Sequence, residues 1–144
     1  MENDLEKKLE FGNDSVYHLN TIWKWTLFLS IIGFIGVAFI FFLAIAIGPI
    51  IRHYGGAESI PYLPSMAFGV VYFFVGVVAL IPVIFLFLFS TKAKKAIQQK
   101  DTYNLEQAFK NLKYHFVITG VLTIIGIGIY FLIGVIALVA AVLS

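Results

Sequence analysis

The side chains able to do chemistry are few and unevenly placed. Lys92, Lys94, Lys95, Lys100, Lys110 and Lys113 crowd into one stretch with Asp101 and Glu106, and the stretch nets +4. Ammonium groups at that density recognise phosphates, carboxylates or anionic headgroups. Nucleic acid is excluded on a simpler account: a basic loop is what membrane orientation alone requires. His18, His53 and His115 are the only histidines. They are far apart in the chain, and the topology derived below puts His53 on the opposite side from the other two. They cannot form one metal site. The chain has no cysteine, and so no disulfide, thiolate metal site or cysteine nucleophile. It also lacks a Gly-rich phosphate loop, a Gly-x-Ser-x-Gly and a His-Glu-x-x-His. The reading is a non-enzyme with no catalytic residue, cofactor or metal. Its candidate contacts to a partner or to lipid headgroups are Lys92, Lys94, Lys95, Lys100, Glu106, Lys110 and Lys113.

The elements that carry these residues follow from where charge is absent. Charged residues make up 12% of the chain and hydrophobic ones 60%, with a mean hydropathy of +0.95. Soluble domains run at about 25% charged. The composition therefore excludes a soluble fold and a disordered chain. All 18 charges fall in 1–24, 52–58 and 92–113. The runs between them, 25–51, 59–91 and 114–144, hold 27, 33 and 31 residues. A helix needs about 20 apolar residues to cross a bilayer. Three spans are expected, at about 26–51, 66–90 and 116–143. Runs such as Phe85-Leu86-Phe87-Leu88-Phe89 do not alternate as barrel strands would. Lipid leaves the backbone no other partner than its own helix. No Asp, Glu, Lys or Arg lies inside a span. That argues against a pump, an ion-coupled transporter or an intramembrane hydrolase.

Orientation follows from the basic residues near the span ends. Lys7, Lys8 and Lys24 precede the first span and six lysines lie between the second and third, whereas the first loop has Arg52 alone. The N-terminus is expected inside and the C-terminus outside. A cleaved signal peptide does not fit, because the first 24 residues hold five acids and the apolar run after them is too long. The domain reading is a tail over 1–15 and a single membrane unit over 16–144, with an outer loop at 52–65 and a cytoplasmic segment at 91–115.

Local signals add detail. Asp14 or Ser15 suits an N-cap. Val16, Leu19, Ile22 and Trp23 share helical spacing, and Trp23 and Trp25 flank Lys24 as headgroup anchors. Gly48-Pro49 should bend or end the first helix, and Pro82 should kink the second. Gly69 and Gly76 are seven apart, where another helix can approach. In the outer loop Arg52, His53 and Glu58 read as a solvated loop. Lys92 to Lys100 contains no helix breaker, and Ala93, Ala96 and Ile97 share a face. Asp101-Thr102 offers a turn and a cap. Leu105, Ala108, Phe109, Leu112 and Phe116 then form an apolar stripe leading into the third span. Spans two and three, as helices over 65–100 and 105–143, should thus extend into an antiparallel cytoplasmic hairpin. The rival is an amphipathic helix lying flat on anionic lipid. The polar groups that could line a path are Ser30, Tyr72, Thr119, Thr123 and Tyr130.

The stretch Phe87-Leu88-Phe89-Ser90-Thr91-Lys92-Ala93-Lys94-Lys95-Ala96, with Leu105-Glu106-Gln107-Ala108-Phe109-Lys110-Asn111-Leu112-Lys113-Tyr114-His115-Phe116, carries a resemblance. The chain is similar here to a family of small bacterial multi-span membrane proteins known as a domain of unknown function. The likeness extends over about 17–130, including Trp23-Lys24-Trp25 and the proline of the second span. It implies a bacterial inner-membrane location and supplies no catalytic residue. Residues and resemblance together suggest an interaction or scaffold module acting through the basic hairpin. The alternatives are a homo-oligomeric pore or carrier and an accessory subunit of an envelope complex. The partners so implied are the lipid bilayer, a second copy or another membrane protein.

Overall fold

The computed structural model describes residues 12–54 and 65–143, all but the terminal positions in or joining three helices. These are α1 (Asn13–Tyr54), α2 (Ser65–Gln99) and α3 (Thr102–Leu143). Each is long and apolar enough to cross a membrane, which marks a multi-pass membrane protein. Most of the expected outer loop, 55–64, lies outside the described residues, Glu58 included, as does the tail up to residue 11.

Helix α1 starts earlier than the capping residues suggested. The Gly12 carbonyl accepts from Ser15 N at 3.0 Å and Val16 N at 3.2 Å, so Gly12 holds the cap position. Asp14 then sits inside the first turn, where a carboxylate favours the positive end of the helix. The helix also runs through Pro49 to Tyr54 and does not end at Gly48-Pro49. Only one i−4 carbonyl loses its donor there, and the surrounding turns are retained.

Helix α2 is central. It packs along both α1 and α3, whose backbones do not approach each other closely among the described residues. The α1–α2 face is built on glycine. A Cβ on Gly69 would lie 2.6 Å from the Ala44 carbonyl oxygen, one on Gly76 2.9 Å from the Phe41 ring, and one on Gly33 2.9 Å from a Val83 methyl. Close approach at Gly69 and Gly76 is as their spacing suggests, and Gly33 adds a third such contact. Phe41 packs on Phe73 and Phe34 on Phe87 along the same face.

Helices α2 and α3 run antiparallel. Lys92 meets Asn104, Phe85 meets Tyr114, and Pro82 meets His115. The His115 Nδ1–H donates to the Pro82 carbonyl at 2.8 Å. A carbonyl only accepts, so this bond fixes the proton on Nδ1. One turn further on, the buried Thr119 hydroxyl has no partner among the described residues, whereas Thr123 donates to the Thr119 carbonyl at 2.8 Å. Bonding back to the i−4 carbonyl is thus the arrangement of Thr123 alone of the two. A Cβ added at Gly120, Gly126, Gly128 or Gly134 of α3 would meet nothing within 4 Å. From 127 to 143 every residue of α3 is exposed.

A buried apolar cluster joins all three helices at their charged end. Leu19, Phe89, Ala93 and Ala108 form it, with Trp23, Ile97, Leu105 and Leu112 packed around. Of the apolar set expected near the start of α1, Leu19 and Trp23 turn inward, while Val16 and Ile22 are exposed. Of the α3 stripe, Ala108 is fully buried but Phe109 and Phe116 face outward. At 3.6 residues per turn Leu105, Ala108 and Leu112 lie along the edge of the stripe turned to α2, and Phe109 and Phe116 along its other edge.

Candidate interaction surface

The basic segment is organised by its turn. Lys100 has φ 49°, the left-handed region, and Asp101 N donates to the Ala96 carbonyl at 3.1 Å. This is a Schellman-type close of α2, with lysine where glycine is usual. Asp101 caps α3 at once. One carboxylate oxygen accepts from Tyr103 N at 2.9 Å and the other from the Asn104 amide at 2.6 Å. That pairing starts α3 at Thr102, three residues before the expected Leu105.

Two substitutions test the turn. Lys100→Gly should stabilise by about 1 kcal/mol, because glycine tolerates positive φ. Asp101→Ala should destabilise by about 1 kcal/mol through loss of the cap. Thermal unfolding in mild detergent reads both; a destabilised Lys100→Gly would contradict the turn geometry.

The candidate lysines divide by what they touch. Lys92 is half-buried, and its Nζ reaches the Asn104 side-chain oxygen at 3.5 Å, tying α2 to α3. Lys94 lies with its Nζ 5.4 Å from the centre of the Trp23 ring, and Lys24 stands 5.8 Å from the same ring. Both are cation–π distances. The Trp23 indole N–H donates to Asn20 at 2.8 Å. Trp23 therefore links α1 to α2, and of the two tryptophans Trp25, 62% exposed, is the one free to act as an anchor. Lys95, Lys100, Glu106, Lys110 and Lys113 are exposed and have no side-chain partner among the described residues.

Register separates the exposed lysines further. With His115 beside Pro82 and Tyr114 on Phe85, Lys113 stands level with the turn around Ile84–Leu86. Lys110 stands one turn above it, at the level of Phe87 and Leu88, and both lysines point away from the α2 contact. Those α2 residues are apolar and partly open, and the first α2 lysine is Lys92. The expected span edges, Ser90 on α2 and Phe116 on α3, are therefore not level. They differ by several residues, roughly 10 Å along the axis. Sliding one helix past another leaves its own charge-free run unchanged, so hydropathy could not reveal this offset.

The hydroxyls considered for a polar path stay separate. Ser30 is buried and donates to the Leu27 carbonyl at 2.7 Å. Tyr72 and Tyr130 are exposed on different helices, and none of the five bonds another side chain among the described residues. A groove of about 450 Å³ opens between α1 and α2, lined by Phe41, Ala44, Ile45, Gly69, Val70 and Phe73. It offers no polar side chain to orient a ligand.

A model of a family of unknown function, DUF5362, matches residues 64–142. The chain belongs to that family. No curated protein and no solved structure matches it. The DUF5362 match begins one residue before α2 and ends one residue before the end of α3. The family unit in this chain is thus the α2–α3 pair with its turn. Helix α1, with Trp23-Lys24-Trp25, lies outside the matched residues. The seven candidate contact residues all lie inside the DUF5362 match.

Proposed function

We propose that this DUF5362 protein is a non-catalytic interaction module of the bacterial inner membrane. Its N-terminus is inside and its C-terminus outside, and α2 and α3 extend past the cytoplasmic surface as a basic hairpin. The single observation that supports this most is the joint core of Leu19, Phe89, Ala93 and Ala108. It gathers all three helices beneath the lysines and would hold the hairpin as a rigid presenting surface. The asymmetry of nine lysines against Arg52 supports the orientation. The resemblance to small bacterial membrane proteins supports the location. Lys95, Lys100 and Glu106 around the turn are the contacts offered to a partner protein.

The test has two arms. A reporter active only in the cytoplasm should be silent when fused after Ser144 and active before Gly12. A photo-crosslinking residue at Gln99 in intact membranes should trap one recurring partner, and the K95E/K100E variant should lose it. An active C-terminal reporter, or no partner trapped from the turn, overturns the reading.

A second reading is favoured by the open outer half of α3. The run from 127 to 143, exposed at every position and wholly apolar apart from Tyr130, suits a second copy or a larger envelope complex. Native mass in mild detergent separates these: a monomer removes the oligomeric pore or carrier, and a stoichiometric foreign subunit selects the accessory role.

A further inference from the structure

We infer that Lys110 and Lys113 form a headgroup site for an anionic phospholipid, distinct from the lysines offered to a protein partner. The inference rests on the proposed reading only in placing the hairpin at a bilayer surface. The two residues lie at i and i+3 on α3 and so share a face. Both are exposed, and neither has an anionic or polar partner among the described residues. At the same depth α2 shows Ile84, Phe87 and Leu88, apolar and each more than a third exposed. Apolar side chains open at that level belong against acyl chains, so the ammonium groups stand where hydrocarbon gives way to headgroups. A lysine at that depth runs its stem along the apolar surface and carries its charge to the nearest anion. Inside a bilayer's interface that anion is a lipid phosphate. Tyr114, packed on Phe85 with its ring tilted by 40° and 41% exposed, completes the belt with a ring suited to the same depth.

The other lysines do not share this setting. Lys92 is engaged by Asn104 and Lys94 by Trp23. Lys95 and Lys100 stand farther along the hairpin, beyond the last exposed apolar turn of α2. Each lysine near an anionic surface strengthens binding by about fivefold. A soluble protein partner would have to enter the interface to reach Lys113, whereas a lipid is already there. Phosphate carried on a lipid and free phosphate share the same chemistry; the site is assigned to the lipid.

The experiment uses the full chain in mild detergent and native mass spectrometry. Phosphatidylglycerol and phosphatidylcholine with identical acyl chains are supplied in equal amounts. The wild type should retain phosphatidylglycerol over phosphatidylcholine by roughly tenfold, the factor expected from two partly effective surface lysines. K110Q/K113Q should fall to near parity, K110R/K113R should keep the preference, and K95Q/K100Q should change it less than about twofold. Helical circular dichroism confirms that each variant is folded; if K110Q/K113Q is not, the K113Q single variant must lose at least half of the preference on its own. No headgroup preference in the wild type overturns the inference. So does an equal loss in K95Q/K100Q, or displacement of the lipid by millimolar inorganic phosphate. Partner trapping from Gln99 that persists in K110Q/K113Q leaves the interaction reading standing whatever the lipid result. Lost trapping with intact lipid preference removes that reading and leaves this one.

Discussion

Gly69→Val is expected to separate α1 from α2 and to destabilise the protein by about 2 kcal/mol or more. The added Cβ alone would lie 2.6 Å from the Ala44 carbonyl oxygen. That oxygen belongs to a helix backbone and cannot swing aside, so one helix must move. In lipid there is no hydrophobic force to restore the pairing, because acyl chains solvate the parted faces equally well. The same change at Gly76 meets the Phe41 ring, a side chain able to turn, and should cost less; at Gly33 it meets both methyls of Val83, a β-branched side chain stiff at χ1, and should cost an intermediate amount. At Gly134 nothing lies within 4 Å, and Gly134→Val should stay within about 0.5 kcal/mol of the wild type. Thermal unfolding in detergent ranks the four variants. Crosslinking of cysteines at Phe41 and Phe73 by a short bifunctional thiol reagent reports α1–α2 pairing, since the two rings pack at 5.5 Å. A Gly134→Val as harmful as Gly69→Val would show that the open face of α3 is packed against protein, and would point to an oligomer.

What could be read beforehand has a physical limit. Lipid forces helix on any long charge-free run, so three spans were legible from the placement of 18 charges. Gly69 and Gly76 were legible as a contact because only small residues let backbones meet. Gly33 was not, since a glycine in a membrane helix is common and its partner Val83 carries no signal. The cap at Asp101 was legible from its chemistry, yet Lys100 in the left-handed region was not, because nothing about lysine announces positive φ. Trp23 and Trp25 look alike in sequence. Only packing shows that one links two helices through Lys94 while the other stays open. The same holds for the seven candidate residues: their types were plain, but register decides which are engaged, which border apolar surface and which stand clear.

Ala108→Leu is expected to open the joint core, at a cost of about 3 kcal/mol. Ala108 and Ala93 are fully buried and Phe89 is 1% exposed, so α2 and α3 approach here as closely as methyl groups permit. Three further carbons have no space. The α2–α3 pair must part at its charged end, and Leu19 and Trp23 lose the surface they rest on. In a Trp25→Phe background Trp23 is the sole indole, and its emission should shift red and become open to acrylamide. Glu106→Leu places the same side chain two residues away on an exposed position and should leave Trp23 protected. The pair also decides between the two postures of the basic segment. A helix lying flat on the membrane would turn its alanine stripe to the acyl chains, where leucine at 108 buries more apolar surface and strengthens binding. An upright hairpin braced by α1 has no such outlet. A stabilised Ala108→Leu with unchanged Trp23 emission would therefore favour the flat helix and remove the rigid surface on which the interaction reading depends.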